Sequence, residues 1–141
     1  MFITRASRRD HDEIKDFYRS NDWGDNVDLS RGVAFIARQG PVVGAVRLIE
    51  VAPQTVIVED VVVAGEHRCK GVGRRLMEAA MNSRGGSMYL CCHDDVIPFY
   101  ENFSFAAMPF EEIPESAQEY FRSIGDYPTE PGHVHYFLKA R

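Results

Sequence analysis

The chain of 141 residues carries a net charge of −5, with 45% hydrophobic and 26% charged residues. A chain of this length buries one good core, so a single domain over residues 1–141 is expected, and the acidic balance excludes a general nucleic-acid binder, whose phosphate contacts need a basic face. No apolar run reaches the length of a membrane span, and Asp10, Asp12 and Glu13 stand too early for a secretory leader, so no membrane partner is expected.

Met1 to Arg5 opens as a strand. Ser7, with Asp10 three residues on, reads as a helix cap, and Ile14, Phe17 and Tyr18 mark one face of the helix that follows. Asn21 to Asn26 is a loop with a short helical turn after it, towards Ser30. Val33 to Arg38, Val42 to Val51 and Thr55 to Val63 read as an antiparallel meander, its first hairpin closed by Gln39-Gly40-Pro41. Gly71 to Ser83 is a second helix with Val72, Leu76, Ala79 and Ala80 on its inner face, stopped by Arg84-Gly85-Gly86. Ser87 to Cys91 is a short buried strand. Asp95 reads as the cap of a helix holding Pro98 in its first turn. Phe105 to Phe110 and His133 to Lys139 are the closing strands. Between them, Glu111 to Gly132 is acidic and punctuated by prolines, with a short helix from Glu115 to Ile124; a connection of that length usually has a task.

The stretch Val61-Val62-Val63-Ala64-Gly65-Glu66-His67-Arg68-Cys69-Lys70-Gly71-Val72-Gly73-Arg74-Arg75-Leu76 carries the strongest chemical signal. A buried strand runs into a loop of glycines and basic residues that opens onto a helix. Such a turn aims backbone N–H groups and the positive end of a helix dipole at one spot, which suits a pyrophosphate. A P-loop is excluded, because it needs Gly-Lys followed by Ser or Thr, and here Arg74 and Arg75 follow Gly73. A dinucleotide turn fits poorly as well, since Leu76 stands where a third small residue belongs and the next strand ends in Cys91 rather than an acid.

Arg68-x-x-Gly71-x-Gly73 is the remaining pattern, and with it the chain resembles the GNAT superfamily of acyl-CoA-dependent N-acetyltransferases. Phe99-Tyr100-Glu101-Asn102-Phe103-Ser104-Phe105 is similar to a second signature of that family, one βα unit later, and differs in having Ser104 where glycine is usual. The resemblance runs from about Val33 to Phe105. It implies an α+β fold with a mixed, mostly antiparallel central sheet flanked by helices, in which the Glu59 strand and the Cys91 strand splay apart around an acyl-pantetheine. It implies acetyl-CoA as cosubstrate and no metal. It also implies that the backbone of the Val61, Val62, Val63 run pairs with the pantetheine amides, the side chains of Val61 and Val63 lying in the core. Arg68, Cys69, Lys70, Gly71, Val72, Gly73 and Arg74 would then surround the pyrophosphate, with Asn102 close to the cofactor.

Acetyl transfer needs a group to take the amine proton, donors for the developing oxyanion and an acid for the leaving thiolate. Tyr100 matches the family tyrosine that serves as the acid, although Phe-Tyr on a helix also reads as plain core. Glu59 and Asp60 stand in the middle of a valine-rich strand, where two carboxylates are costly unless a cleft or a partner solvates them. Alternation sends them to opposite faces. Glu59 is the first choice of base, directly or through water, and Asp60 the second; an ion pair with Arg47 is the competing reading. His93 is a further basic group at a strand end. His133 and His135 share a strand face without an evident third ligand, so metal binding is not expected. Trp23 either lines the acceptor pocket or anchors the first helix. Cys69, Cys91 and Cys92 have neither disulfide nor metal-ligand spacing, which fits a reducing cytoplasm. The resulting expectation is an acetyl-CoA-dependent transferase acting on a primary amine of a small molecule, with a homodimer common among such proteins. A protein or peptide acetyltransferase and a non-catalytic acyl-CoA-binding regulator are the alternatives.

Overall fold

The computed structural model describes residues 1–24, 27–126, 129–130 and 133–141, with Thr129, Glu130 and His133 described for the backbone alone. The loop residues Asp25 and Asn26, part of the Glu111–Gly132 segment and the side chain of His133 therefore lie outside the described residues. The strands Phe2–Arg5, Val33–Arg38, Val42–Ala52, Thr55–Val63, Ser87–Cys92, Tyr136–Ala140 and Ala106–Met108 are hydrogen-bonded neighbours in that order, with Thr129–Glu130 and His133–Val134 as a separate pair. The chain divides into two compact units, one of Met1–Ile49 with Val58–Arg84 and one of Glu50–Ile57 with Gly85–Arg141.

The first unit holds β1 (Phe2–Arg5), α1 (His11–Ser20), β2 (Val33–Arg38), most of β3 (Val42–Ala52), β4 (Thr55–Val63) from Val58 onward and α2 (Val72–Asn82). Ser7 caps as expected, its N–H donating to Asp10 Oδ2 at 2.7 Å, but it caps a short 3-10 turn at Arg8–Asp10 that leads into α1. Strands β1, β2 and β3 pair antiparallel. The first eight residues of β3, Val42 to Ile49, are all buried because the strand is covered on both faces. On one face, Ala45 and Ile36 join Ile14, Phe17 and Tyr18 of α1 in a single apolar cluster. On the other, Gly44 faces α2: a methyl group there would lie 2.8 Å from Leu76 and 3.1 Å from Val72. The inner face of α2 is Val72, Leu76, Met77 and Ala80, so Met77 takes the buried place expected of Ala79, which is half-buried.

The second unit holds the last residues of β3, the start of β4 (Thr55 to Ile57), then β5 (Ser87–Cys92), α3 (Ile97–Glu101), β6 (Ala106–Met108), α4 (Glu115–Ser123), β7 (Thr129–Glu130), β8 (His133–Val134) and β9 (Tyr136–Ala140). Thr55 to Ile57 pair parallel with Ser87 to Tyr89, and β9 lies antiparallel to both β5 and β6. The sheet is thus mixed and mostly antiparallel, as expected. Three local expectations are corrected. Asp95 lies within a 3-10 turn, Asp94–Val96, and Val96 is the residue that precedes α3, whose first turn carries Pro98. The strand expected to reach Phe110 stops at Met108, because Pro109 turns the chain into a 3-10 turn at Phe110–Glu112. The strand expected from His133 to Lys139 is two strands separated by His135, since β8 pairs with β7 whereas β9 pairs with β5 and β6.

Candidate active site

In the first unit the chemistry gathers around an irregularity in β4. Asp60 has φ of +55°, a left-handed conformation inside a strand. A non-glycine residue held there costs on the order of 1–3 kcal/mol and persists only when its surroundings over-determine it. Here they do. Tyr18 donates its hydroxyl to the Asp60 carbonyl oxygen at 2.8 Å, Trp23 Nε1 donates to Oδ1 at 2.8 Å, and Arg47 Nη1 donates to Oδ2 at 2.7 Å. Arg47 is 5% exposed, and its other amino group donates to the carbonyl oxygens of Arg31, at 2.9 Å, and Asp28. The cation is thus matched by a carboxylate and two carbonyls, which is what makes its burial tolerable. Burial, together with the Asp60 and Glu59 carboxylates, pushes the Tyr18 hydroxyl well above its ordinary value, so it stays a protonated donor.

The kink at Asp60 changes which side chains β4 presents. Val62 is the buried valine of the run, whereas Val61 and Val63 are half-buried, a correction to the expectation that the outer two lie in the core. Glu59 and Asp60 are both half-buried. The ion pair with Arg47 belongs to Asp60. Trp23 hangs from the end of α1, its N–H donating to the Tyr18 carbonyl at 2.9 Å, and its indole reaches Asp60.

Past Val63, a 3-10 turn at Gly65–His67 leads to Cys69 and Gly71, with φ of +62° and +82°. Gly71 precedes α2 directly, and its carbonyl accepts the N–H of Arg75 at 3.1 Å. The N–H groups of the first turn of α2 accordingly face outward beyond the helix's own ladder. Lys70, Arg74 and Arg75 are exposed beside them, and among the described residues, chain neighbours aside, no atom lies within 4 Å of where a side chain on Gly65 or Gly71 would begin. Arg68 folds back, Nε donating to the Val63 carbonyl at 3.0 Å, and so fixes the loop to the end of β4. Open backbone, N–H groups and cations together make an anion cradle.

In the second unit Tyr100 is 9% exposed on α3, packed edge-on against Phe99 and Phe105. The serine that replaces glycine keeps the geometry: Ser104 has φ of +67°, and the Phe105 N–H returns to the Tyr100 carbonyl at 3.4 Å, closing the helix. Asn102 donates its amide to the Pro98 and Phe99 carbonyls, both at 3.2 Å, so its side chain is engaged within α3. Cys92 is buried, its thiol pushed up to about 11 by desolvation and then by Asp95, which keeps it protonated at neutral pH. Cys91, Asp126 and His135 come together, with the His93 ring 5.2 Å from that of His135.

The acetyltransferase (GNAT) domain family matches residues 30–107, more than half of the chain and the span that contains both β4 and the anion cradle. The chain belongs to the GNAT acetyltransferase family. Solved structures agree on the fold. The GNAT-family acetyltransferase of Staphylococcus aureus Mu50 is 17% identical with a TM-score of 0.68, over 98% of this chain and 96% of that one. Rv2747 of Mycobacterium tuberculosis, solved with CoA, is 15% identical with a TM-score of 0.70, over 99% and 98%. N-acetylglutamate synthase of Neisseria gonorrhoeae, solved with coenzyme A and N-acetyl-glutamate, is 14% identical with a TM-score of 0.75. It aligns with all of this GNAT chain, which spans 35% of the length of the synthase. Among curated protein sequences, none matches this chain.

Two features of this GNAT chain escaped the sequence. Tyr18 was legible as core, but not as the donor that holds the β4 kink; the signal was a tyrosine on an apolar face, whose hydroxyl must find a partner once buried. Asp126 carries no such signal, because nothing in its local sequence connects it to Cys91 or His135.

Proposed function

We propose that this chain is an acetyl-CoA-dependent N-acetyltransferase that acts on a primary amine of a small molecule by direct attack in a ternary complex. The observation that carries the reading is the cradle at the start of α2, where left-handed Cys69 and Gly71 open the backbone beside Lys70, Arg74 and Arg75. Arg68, Cys69, Lys70, Gly71, Val72, Gly73 and Arg74 hold the pyrophosphate of coenzyme A, the backbone N–H groups making the contacts and the cations neutralising charge. The main chain of Val61 to Val63 pairs with the pantetheine amides as an added half-strand.

The amine nitrogen attacks the thioester carbonyl, the C–N bond forms, and the C–S bond breaks to release coenzyme A. Glu59 takes the amine proton, directly or through water. A β4 backbone N–H stabilises the oxyanion. Tyr100 protonates the departing thiolate. Asp60, with both carboxylate oxygens engaged by Trp23 and Arg47, fixes the kink that sets the direction of β4, and so positions rather than reacts. Holding amine and thioester together supplies about 7–11 kcal/mol of the barrier reduction. A small acceptor is supported by the Neisseria neighbour, whose structure contains N-acetyl-glutamate, an acetylated small amine. The free cysteines fit a reducing cytoplasm.

Calorimetry with acetyl-CoA and with acetyl-pantetheine, which lacks the pyrophosphate, tests the reading. Acetyl-CoA binds to one site and acetyl-pantetheine far more weakly; K70Q combined with R74Q lowers acetyl-CoA affinity, and the loss shrinks at high salt. Equal affinity for the two thioesters removes the pyrophosphate assignment. A thiol-release assay over a panel of amino acids, polyamines, aminoglycosides and peptides then identifies the acceptor, and release that no amine accelerates overturns the transferase assignment.

A further inference from the structure

The second unit brings three side chains of metal-ligand type together from three separate elements. Cys91 lies near the end of β5, Asp126 just beyond α4, and His135 between β8 and β9. Their ligand atoms, one sulfur, one carboxylate oxygen and one imidazole nitrogen, all lie within 4.8 Å of one another. Among the described residues, no other group of three His, Cys, Asp or Glu side chains meets in this way.

The packing of the unit explains why they meet. Phe137 of β9 pairs in register with Cys91, which brings His135, two residues earlier, to the same end of β5. Phe137 also packs against Phe121 of α4, with ring centroids 5.1 Å apart, and Phe121 is fully buried. Beyond α4, Gly125 takes φ of +82°, and the Asp126 N–H returns to the Phe121 carbonyl at 2.9 Å. One buried aromatic pair therefore locates all three side chains, and the sheet register and the helix exit set their approach.

We propose that Cys91, Asp126 and His135 form a three-ligand site for a thiophilic divalent transition metal of the Zn2+ class. The donor set decides the metal: thiolate and imidazole favour zinc and its neighbours, while magnesium and calcium take oxygen alone. Zinc bonds of about 2.0–2.3 Å set tetrahedral ligand atoms about 3.5 Å apart, so binding draws the three side chains inward by about 1 Å at most. Three protein ligands leave a fourth position for water or for His93, whose ring already lies against that of His135. The three residues are half-buried, and His135 also lines an open groove with Met108, Phe110 and Tyr136, which provides the ion with an entry path.

The test uses the 141-residue chain stripped of metal. Zn2+ titration by calorimetry shows one equivalent bound, and Co2+ produces a sulfur-to-metal charge-transfer band. C91S abolishes that band, and both C91S and H135Q lower Zn2+ affinity by at least about a hundredfold, beyond the 10–100-fold typical of changes to outer partners. A measurement on the unaltered chain keeps the proposal independent of how the variants fold. Saturating Zn2+ protects Cys91 from iodoacetamide, read by mass spectrometry of the labelled peptide, while exposed Cys69 stays reactive. Unchanged alkylation of Cys91 under Zn2+, or a Co2+ spectrum without a sulfur band, overturns the site. Metal binding is read without any acyl donor, so its failure leaves the transferase reading untouched.

Discussion

Arg47 sets its guanidinium 2.7 Å from the carboxylate of Asp60, with the two side chains 6% and 13% exposed. Breaking a buried pair from one side strands the other charge, at about 3–5 kcal/mol. Arg47→Met is therefore expected to lose about that much stability in urea denaturation and to lose acetyl transfer as well, because the β4 kink loses its clamp. A loss below about 1 kcal/mol would show that water solvates Asp60 freely.

Tyr100→Phe removes one hydroxyl and little else, since the ring packs against Phe99 and Phe105. If the hydroxyl protonates the thiolate, turnover falls by roughly 10²–10⁴-fold, the usual worth of a positioned acid, while calorimetric affinity for acetyl-CoA stays nearly the same. An unchanged kcat takes Tyr100 out of the mechanism and leaves it in the core.

Ser104 occupies a left-handed conformation that costs a residue with a side chain roughly 1–2 kcal/mol. Glycine relieves that strain but adds freedom to the unfolded chain, so Ser104→Gly is expected to stabilise by at most about 1 kcal/mol. A thermal melt displaced upward by a few degrees is the expected reading. A downward shift would mean that the serine side chain contributes a contact stronger than the strain.

Asp10 accepts the Ser7 N–H at 2.7 Å and Arg38 Nη2 at 2.8 Å, and these two partners, the first more than the second, hold its carboxyl below the ordinary 3.8. A folded-state value under the unfolded one means that the contribution is complete above about pH 4 and fades as the pH falls through the folded value. The stability difference between the native chain and Asp10→Asn should accordingly be constant near neutrality and close on acidification below about pH 4. Melting curves at several pH values check this, and a difference that persists at pH 2 would assign the effect to amide geometry rather than charge.

Much of the architecture was legible in advance because its signals are local. The alternation and branching of Val33 to Val63 specify strands, the spacing of Ile14, Phe17 and Tyr18 specifies a helix face, and the basic glycine loop before α2 specifies an anion cradle. The Ser104 exit was legible too, as a turn position that a side chain has to tolerate. Other elements were decided by packing. The run after His133 splits because its two halves meet different strands, and on α2 it is Met77 rather than Ala79 that is fully buried.

The amino-acid sequence by itself showed the resemblance to the family, in its two motifs, most of the order of the strands and helices, and the loop suited to a pyrophosphate, since each signal lies within a few residues. Only the tertiary structure decided that Tyr18, Trp23 and Arg47 converge on Asp60, and that Asp126 and His135 reach Cys91. Those meetings depend on strand register and on how helix ends pack, which are set by burial across the whole chain and leave no trace in local spacing.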